Sequence, residues 1–181
     1  MQVIKGKGLQ IMEWTGEVYA DTPAVSARTY VDVPPERLWG YVSDIHLMPG
    51  LSAELQHVEW LDGATGPRPG NRFLGRSAHE DLGNWETVST VIDCQEPQRF
   101  SWAVGDPLHP MSIWRFTLHA EGPGTVLEQW AQMGPAPSGL SRAIEAMPDK
   151  EQKIVFVRLR EFETGIKSNL AAIKELAERE K

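Results

Sequence analysis

Residues 150–180, KEQKIVFVRLREFETGIKSNLAAIKELAERE, decide how this chain folds. The run has no proline, and Gly165 is its only glycine. Val155, Leu159, Phe162, Ile166, Leu170, Ile173 and Ala177 recur at steps of three or four. That spacing is one apolar stripe along an α-helix. The Lys and Glu residues between them read as the solvated face. Asp149 and Gln152 suit a capping box at the start. The helix spans about 45 Å at about 1.5 Å per residue, so its stripe needs a large apolar partner.

That partner lies upstream. Residues 24–33, AVSARTYVDV, alternate apolar and polar and read as a half-buried strand. PPERLWGYVSD follows, with Pro35 suited to a first helical turn and Leu38, Trp39 and Val42 as its apolar face. IHLMPG adds one more turn. Six further strand-like runs come next, at 54–61, 72–80, 85–93, 99–104, 112–120 and 125–133, separated by turn signals such as DLGN, QEPQ and EGPG. Short strands joined by turns describe an antiparallel sheet. The expected fold is α+β: a curved seven-stranded antiparallel sheet wrapped around a long C-terminal helix, with two short helices after the first strand. Residues 1–23 show no clear period. LQIMEW and EVYA read as an N-terminal arm or an extra strand, and residues 24–181 as the domain itself.

The turns predict which residues face the helix. Across DLGN, His79 pairs with Trp85, Ser77 with Thr87, Gly75 with Ser89 and Phe73 with Val91. Across QEPQ, Val91 faces Trp102 and Asp93 faces Phe100. The inner face then holds Phe73, Trp85, Phe100, Trp102, Trp114, Phe116 and Met133, with Phe162 and Ile166 opposite them on the helix. Ser77, Thr87, Ser89 and Gln129 are polar members of the same face. They either satisfy one another and the backbone, or orient a ligand in an apolar pocket. The seven tryptophans likewise read as an aromatic core or as the lining of a cavity. Trp130 falls on the wet face, where the arm or the partner subunit of a homodimer could cover it.

Composition narrows the function. Net charge is −7, from 25 acidic and 18 basic side chains, with no basic block. Nucleic acid and anionic membrane surfaces are not expected partners. No apolar run reaches the roughly 20 residues of a membrane span. MQVIKGKGLQIMEW lacks the apolar core of a signal peptide. The single cysteine, Cys94, excludes an internal disulfide and suits a reducing cytoplasm. Cys94 stands beside Asp93 and Glu96, which raise a thiol pKa rather than activate it. His46, His57, His79, His109 and His119 form no metal-like pair, so no metal is expected, and no cofactor fingerprint is present.

Acid–base work on a bound carbonyl compound needs a proton acceptor and a donor near the oxygen. His79 is the titratable side chain on the inner face of the central hairpin, and Tyr41 on the first helix is a second candidate donor. No inward-facing carboxylate or closely spaced acid–base pair is visible, which favours binding without turnover.

The order of elements, together with VPPERLWGYVSD, VEWLDG, GNRFLGRS, NWETVSTV, EPQRFSWAVGDP, WRFTL, GTVLEQW and GPAPSGLSRAIEAMPDKE, resembles the START-like helix-grip (SRPBCC) superfamily in its polyketide cyclase/dehydrase branch. The resemblance covers about residues 24–178. It implies a cavity between sheet and helix for a hydrophobic small molecule that is polyketide-, lipid- or terpenoid-like. It implies either a cyclase or dehydratase, or a carrier or sensor without turnover. Residues 133–151, MGPAPSGLSRAIEAMPDKE, then fall at the open end of that cavity. Leu140, Ile144 and Met147 sit there as a mobile lid or as a static plug.

Overall fold

The computed structural model describes residues 13–179. Strand β1 (Ala24–Val31) is followed by helix α1 (Pro35–Ser43), a 3₁₀ turn at Ile45–Leu47 and the short helix α2 (Met48–Leu51). Strands β2 (Leu55–Trp60), β3 (Arg72–His79), β4 (Gly83–Gln95), β5 (Arg99–Asp106), β6 (His109–Glu121) and β7 (Gly124–Met133) come next. Helix α3 (Gly139–Ala146) and the long helix α4 (Glu151–Arg179) close the chain. The sheet runs β1-β7-β6-β5-β4-β3-β2 and is antiparallel throughout. This is the expected helix-grip architecture.

Local chemistry explains the starts and stops. Pro35 opens α1, where its missing N–H costs nothing. Leu38, Trp39 and Val42 are buried on its inner side, while Gly40 is exposed and does not interrupt the helix. Asp44 caps the next turn by accepting from the His46 N–H at 2.9 Å. Ser138 and Ser141 cap α3 reciprocally: the Ser138 hydroxyl accepts from Leu140 N–H and the Ser141 hydroxyl from Ser138 N–H.

The register of the central hairpin differs from the sequence expectation. Ser77 pairs with Trp85, Gly75 with Thr87, Phe73 with Ser89 and His79 with Gly83. The strand begins at Gly83, so DLGN is half turn and half strand, and every pair slips by two. A slip of two leaves each side chain on its expected face. Val91 opposes Trp102 as expected, but a bulge follows, and Asp93 opposes Ser101 while Cys94 opposes Phe100. Further irregularities at Leu55/His57 and Val104/Gly105 help the sheet curve.

The core lies between the concave face and α4. Val31, Phe100, Leu127, Ile166 and Ile173 are completely or almost completely shielded, and Val91, Leu118, Leu170 and Ala177 join them. A second, smaller cluster of Met133, Val155 and Leu159 underlies Leu140 and Ile144 of α3.

Residues 13–23 form an arm laid on the start of α4 rather than an eighth strand. Tyr19–Asp21 make a 3₁₀ turn, so EVYA is not a strand, and residues 9–12 of LQIMEW lie outside the described residues. Trp14 packs on Phe156 with ring centroids 5.0 Å apart. The Gln152 amide donates to the Gly16 carbonyl at 2.8 Å, so it ties down the arm. On the outer face, the Arg115 guanidinium stacks 4.4 Å from the Trp130 ring.

Candidate functional site

Strands of alternating direction bring the β3–β4 turn, the β5–β6 turn and the end of β7 to one end of the sheet. Since β7 leads directly into α3 and then α4, α3 and the first turns of α4 lie at the same end. There a pocket of about 280 Å³ opens between the β3–β4 turn and the helices. His79, Asp81 and Leu82 form its strand side. Leu140 and Met147, with Lys150, Lys153, Ile154, Val157, Arg158 and Glu161, form its helix side.

One wall of this mouth is an ionic cluster. Arg158, 9% exposed, donates to both oxygens of Glu54 at 2.6 and 2.9 Å and to Glu161 Oε2 at 2.7 Å. A two-pronged guanidinium–carboxylate pair is strong and geometrically defined. Burial pushes the Arg158 guanidinium down, but the hydrogen bonds and charges of Glu54 and Glu161 outweigh burial and hold it above its ordinary value. Its carbon also lies 4.8 Å from the Phe162 ring.

His79 completes the cluster. Its Nδ1 accepts from the backbone N–H groups of Asp81 and Leu82 at 3.1 and 3.3 Å. The ring proton is therefore on Nε2, which faces Glu161 Oε1 at 3.6 Å and Glu54 Oε1 at 3.9 Å. The ligand atoms of Glu54, His79 and Glu161 all lie within 4.8 Å of one another, close enough to raise the question of a metal. The donor set argues against one. A metal on Nε2 needs that nitrogen free of hydrogen, while Nδ1 already has its lone pair occupied by two N–H donors, and Glu54 gives both of its oxygens to Arg158 and Glu161 one. The geometry sets the Nε2 edge of His79 beside the Glu161 oxygen that Arg158 leaves free.

The sequence shows no inward-facing carboxylate, whereas the structure sets Glu161 and Glu54 3.6 and 3.9 Å from His79. Glu54, Arg158 and Glu161 went unnoticed, although position 158 lies three residues after Val155 and four before Phe162, on the apolar stripe itself. An arginine there is the signal of a buried ion pair.

The remaining expected residues divide by depth. His79, Leu140 and Met147 line the mouth, and Ile144 packs beside Leu140 on the smaller cluster. Phe73, Phe100, Trp102, Phe116 and Ile166 are buried in the large core. Their rings touch: Trp102 meets Phe73, Phe100, Trp114 and Phe116 at centroid distances of 5.2–6.5 Å, and Trp114 meets Phe162 at 4.9 Å. The tryptophan-rich inner face is thus a connected aromatic core. Ser77, Trp85 and Thr87 are half-buried on the central hairpin, and Ser89 and Met133 are buried. Gln129 is buried beside Asn169 of α4, 3.3 Å away. Among the described residues, no fully buried side-chain nitrogen or oxygen lacks a partner. Tyr41 packs on α1 against the large core, apart from the mouth that holds His79.

A second hollow of about 300 Å³ lies beside α1, lined by Ser43, Asp44, His46, Trp60, Thr65, Gly66 and Pro67. Nearby, the Cys94 thiol donates to the Pro67 carbonyl at 3.2 Å. Burial, then Glu96 and Asp93, push that thiol up, as its neighbours in sequence suggested.

A curved antiparallel sheet gripping one long helix, with a part-apolar mouth at the end where α3 lies, defines a START-like helix-grip protein. The family model described as "Polyketide cyclase / dehydrase and lipid transport" matches residues 22–160, and the chain belongs to that family. Among solved structures, the polyketide-cyclase-like protein Cgl2372 of Corynebacterium glutamicum shares 27% identity, covering 87% of this chain and 92% of that one, with a TM-score of 0.61. The di-domain ARO/CYC protein StfQ of the steffimycin pathway shares the fold at 14% identity and a TM-score of 0.66 over 87% of this chain. BexL of the BE-7585A pathway does so at 18% and 0.63 over 86%. The chain spans about half of each di-domain protein, 51% and 50%. A search of curated proteins found no match. No described helix is long and apolar enough to cross a membrane.

Proposed function

We propose that the protein binds a hydrophobic small molecule, polyketide-, lipid- or terpenoid-like, admitted at the mouth between the β3–β4 turn and α3. The observation that carries this reading is the mouth pocket itself. Leu82, Leu140, Met147, Ile154 and Val157 give it an apolar lining, and a few polar groups converge on one wall, the usual make-up of a small-molecule site. Family membership supports it, since polyketides and lipids are the molecules the family description names. Residues 24–181 act as the binding domain, and residues 13–23 brace the helix that forms one wall.

Turnover is the second reading, favoured by the ionic cluster. Glu161 Oε1 is the carboxylate oxygen that makes no bond to Arg158, and it faces the His79 Nε2–H. A base and a hydrogen-bond donor beside one pocket suit cyclase or dehydratase chemistry on a carbonyl compound. Without turnover, the same pocket serves a carrier or sensor.

Native mass spectrometry of protein purified gently from its own host tests the binding reading. A defined hydrophobic adduct is expected. A clean apo mass, combined with no binding of polyketide-like aromatics or fatty acids in solution, overturns it. Incubation with the adduct's precursor then separates enzyme from carrier.

A further inference from the structure

The 3₁₀ turn Pro148–Lys150 and the first turns of α4 present to the mouth a charge pattern that the rest of the helix lacks. Farther along, each lysine is held by a glutamate one turn away: Lys167 by Glu163 and Lys174 by Glu178, both at 2.6 Å. Lys150 and Lys153 differ. Lys150 reaches only the Met147 sulfur, at 3.9 Å, and among the described residues neither ammonium has a carboxylate partner. Four residues on from each stands an apolar side chain, Ile154 after Lys150 and Val157 after Lys153. All four line the mouth, with Leu140 and Met147. Met147 and Val157 leave 39% and 47% of their surface in solvent. Uncovered apolar side chains flanked by unpaired ammonium groups match a molecule that carries both kinds of group.

We infer that the mouth seats an amphiphile with an anionic end. Its hydrocarbon part lies on Leu140, Met147, Ile154 and Val157, and its carboxylate lies between Lys150 and Lys153. This rests on the reading that the pocket takes a hydrophobic molecule, and it adds the charge and the orientation. Arg158 is a weak competitor for the anion, because three of its N–H donors go to Glu54 and Glu161, whose two charges outweigh its own. Asp81, on the hairpin side, has no cationic partner among the described residues. It repels a carboxylate from that wall and so fixes the ligand's direction. The pocket, about 280 Å³, falls just below the roughly 300–1,000 Å³ of drug-sized ligand sites, which suits a medium-length chain.

The test compares decanoate, 1-decanol and decyltrimethylammonium by calorimetric titration at low salt. Two exposed ion pairs are individually weak, so decanoate is expected to bind roughly tenfold more tightly than the alcohol. The preference should shrink in about 0.5 M NaCl, where exposed charges are screened. The double substitution Lys150→Met, Lys153→Met should remove it, and Asp81→Asn should enlarge it. Both lysines are exposed, so folding is not at stake. Equal affinity for acid and alcohol in the native protein overturns the inference and leaves the hydrophobic reading standing, as does tighter binding of the cation. A preference that survives the double substitution also overturns it. If none of the three binds, the pocket reading itself falls. Binding to phosphatidylglycerol vesicles without binding of monomeric decanoate overturns it in favour of a bilayer surface.

Discussion

Arg158 holds three segments together: Glu54 ahead of β2, Glu161 on its own helix, and through them the His79 hairpin. Arg158→Leu leaves two carboxylates facing each other with no counter-charge. Losing charged hydrogen bonds at a mostly buried site costs about 2–3 kcal/mol, to be read as a lower urea midpoint. Glu161→Gln should cost less, because Glu54 still binds the guanidinium with both oxygens. A loss equal to that of Arg158→Leu would show that the Glu54 pair adds nothing measurable. Gly124 is demanding for a different reason. A Cβ there would collide with the Val31 carbonyl and the Tyr30 phenol. The carbonyl belongs to the neighbouring strand and cannot swing aside, so Gly124→Ala should destabilise by about 1–3 kcal/mol. Cys94 gives a chemical prediction. Its thiol is pushed up mainly by burial and then by Glu96 and Asp93, so less of it is thiolate at a given pH. Alkylation by iodoacetamide at mildly alkaline pH should be several-fold slower than for a free cysteine peptide. An equal rate would count against that environment.

At the scale of elements, α3 poses the question that its sequence raised. None of its residues is fully buried, and Leu140 and Ile144 rest on Met133, Val155 and Leu159. Its tether is firm on one side: the Tyr19 hydroxyl donates to the Ala136 carbonyl at 2.7 Å and lies 3.2 Å from Ser138 Oγ. If α3 is a lid, Leu140→Ala or Ile144→Ala should speed ligand release with a stability loss under about 1 kcal/mol. A loss in the 2–5 kcal/mol range of a truncated core leucine or isoleucine, with no change in release, makes it a plug. Elements of this kind were legible because each carries its own signal: the stripe from Val155 to Ala177, Pro35 at a helix start, alternation in residues 24–33. The side-chain faces were legible too, since a two-residue slip preserves parity. The slip itself was not. DLGN can be a whole turn or half of one, and the difference is set by how His79 Nδ1 gathers the Asp81 and Leu82 N–H groups. The bulge before Asp93 has no sequence marker. The ionic cluster was hidden because its members come from separate segments, and a charged residue in a Lys/Glu-rich helix reads as solvated until a partner some hundred residues away is known.

For the whole molecule, the question is how far a ligand penetrates. The inner face is bridged by rings from Arg158 to Phe162, Trp114 and Trp102. A molecule bound only at the mouth leaves this chain intact. One that enters the space between sheet and helix must part Phe162 from Trp114, since these sit between the mouth and the deeper core. Phe162→Ala distinguishes the two. Phe162 is half-buried, and truncating a large core side chain costs about 3–5 kcal/mol when fully buried, so a loss at or below the low end is expected. The void left against Trp114 is apolar, and an apolar void accepts apolar guests. If the natural site extends inward, the variant should bind a bulky aromatic probe more tightly than the native protein, and tryptophan emission should change on binding because Trp114 borders the new space. If the site ends at the mouth, affinity and emission stay as they were while stability falls. The first outcome makes Phe162 and Arg158 an inner gate behind α3. The second confines recognition to the mouth and leaves the aromatic core a purely structural element.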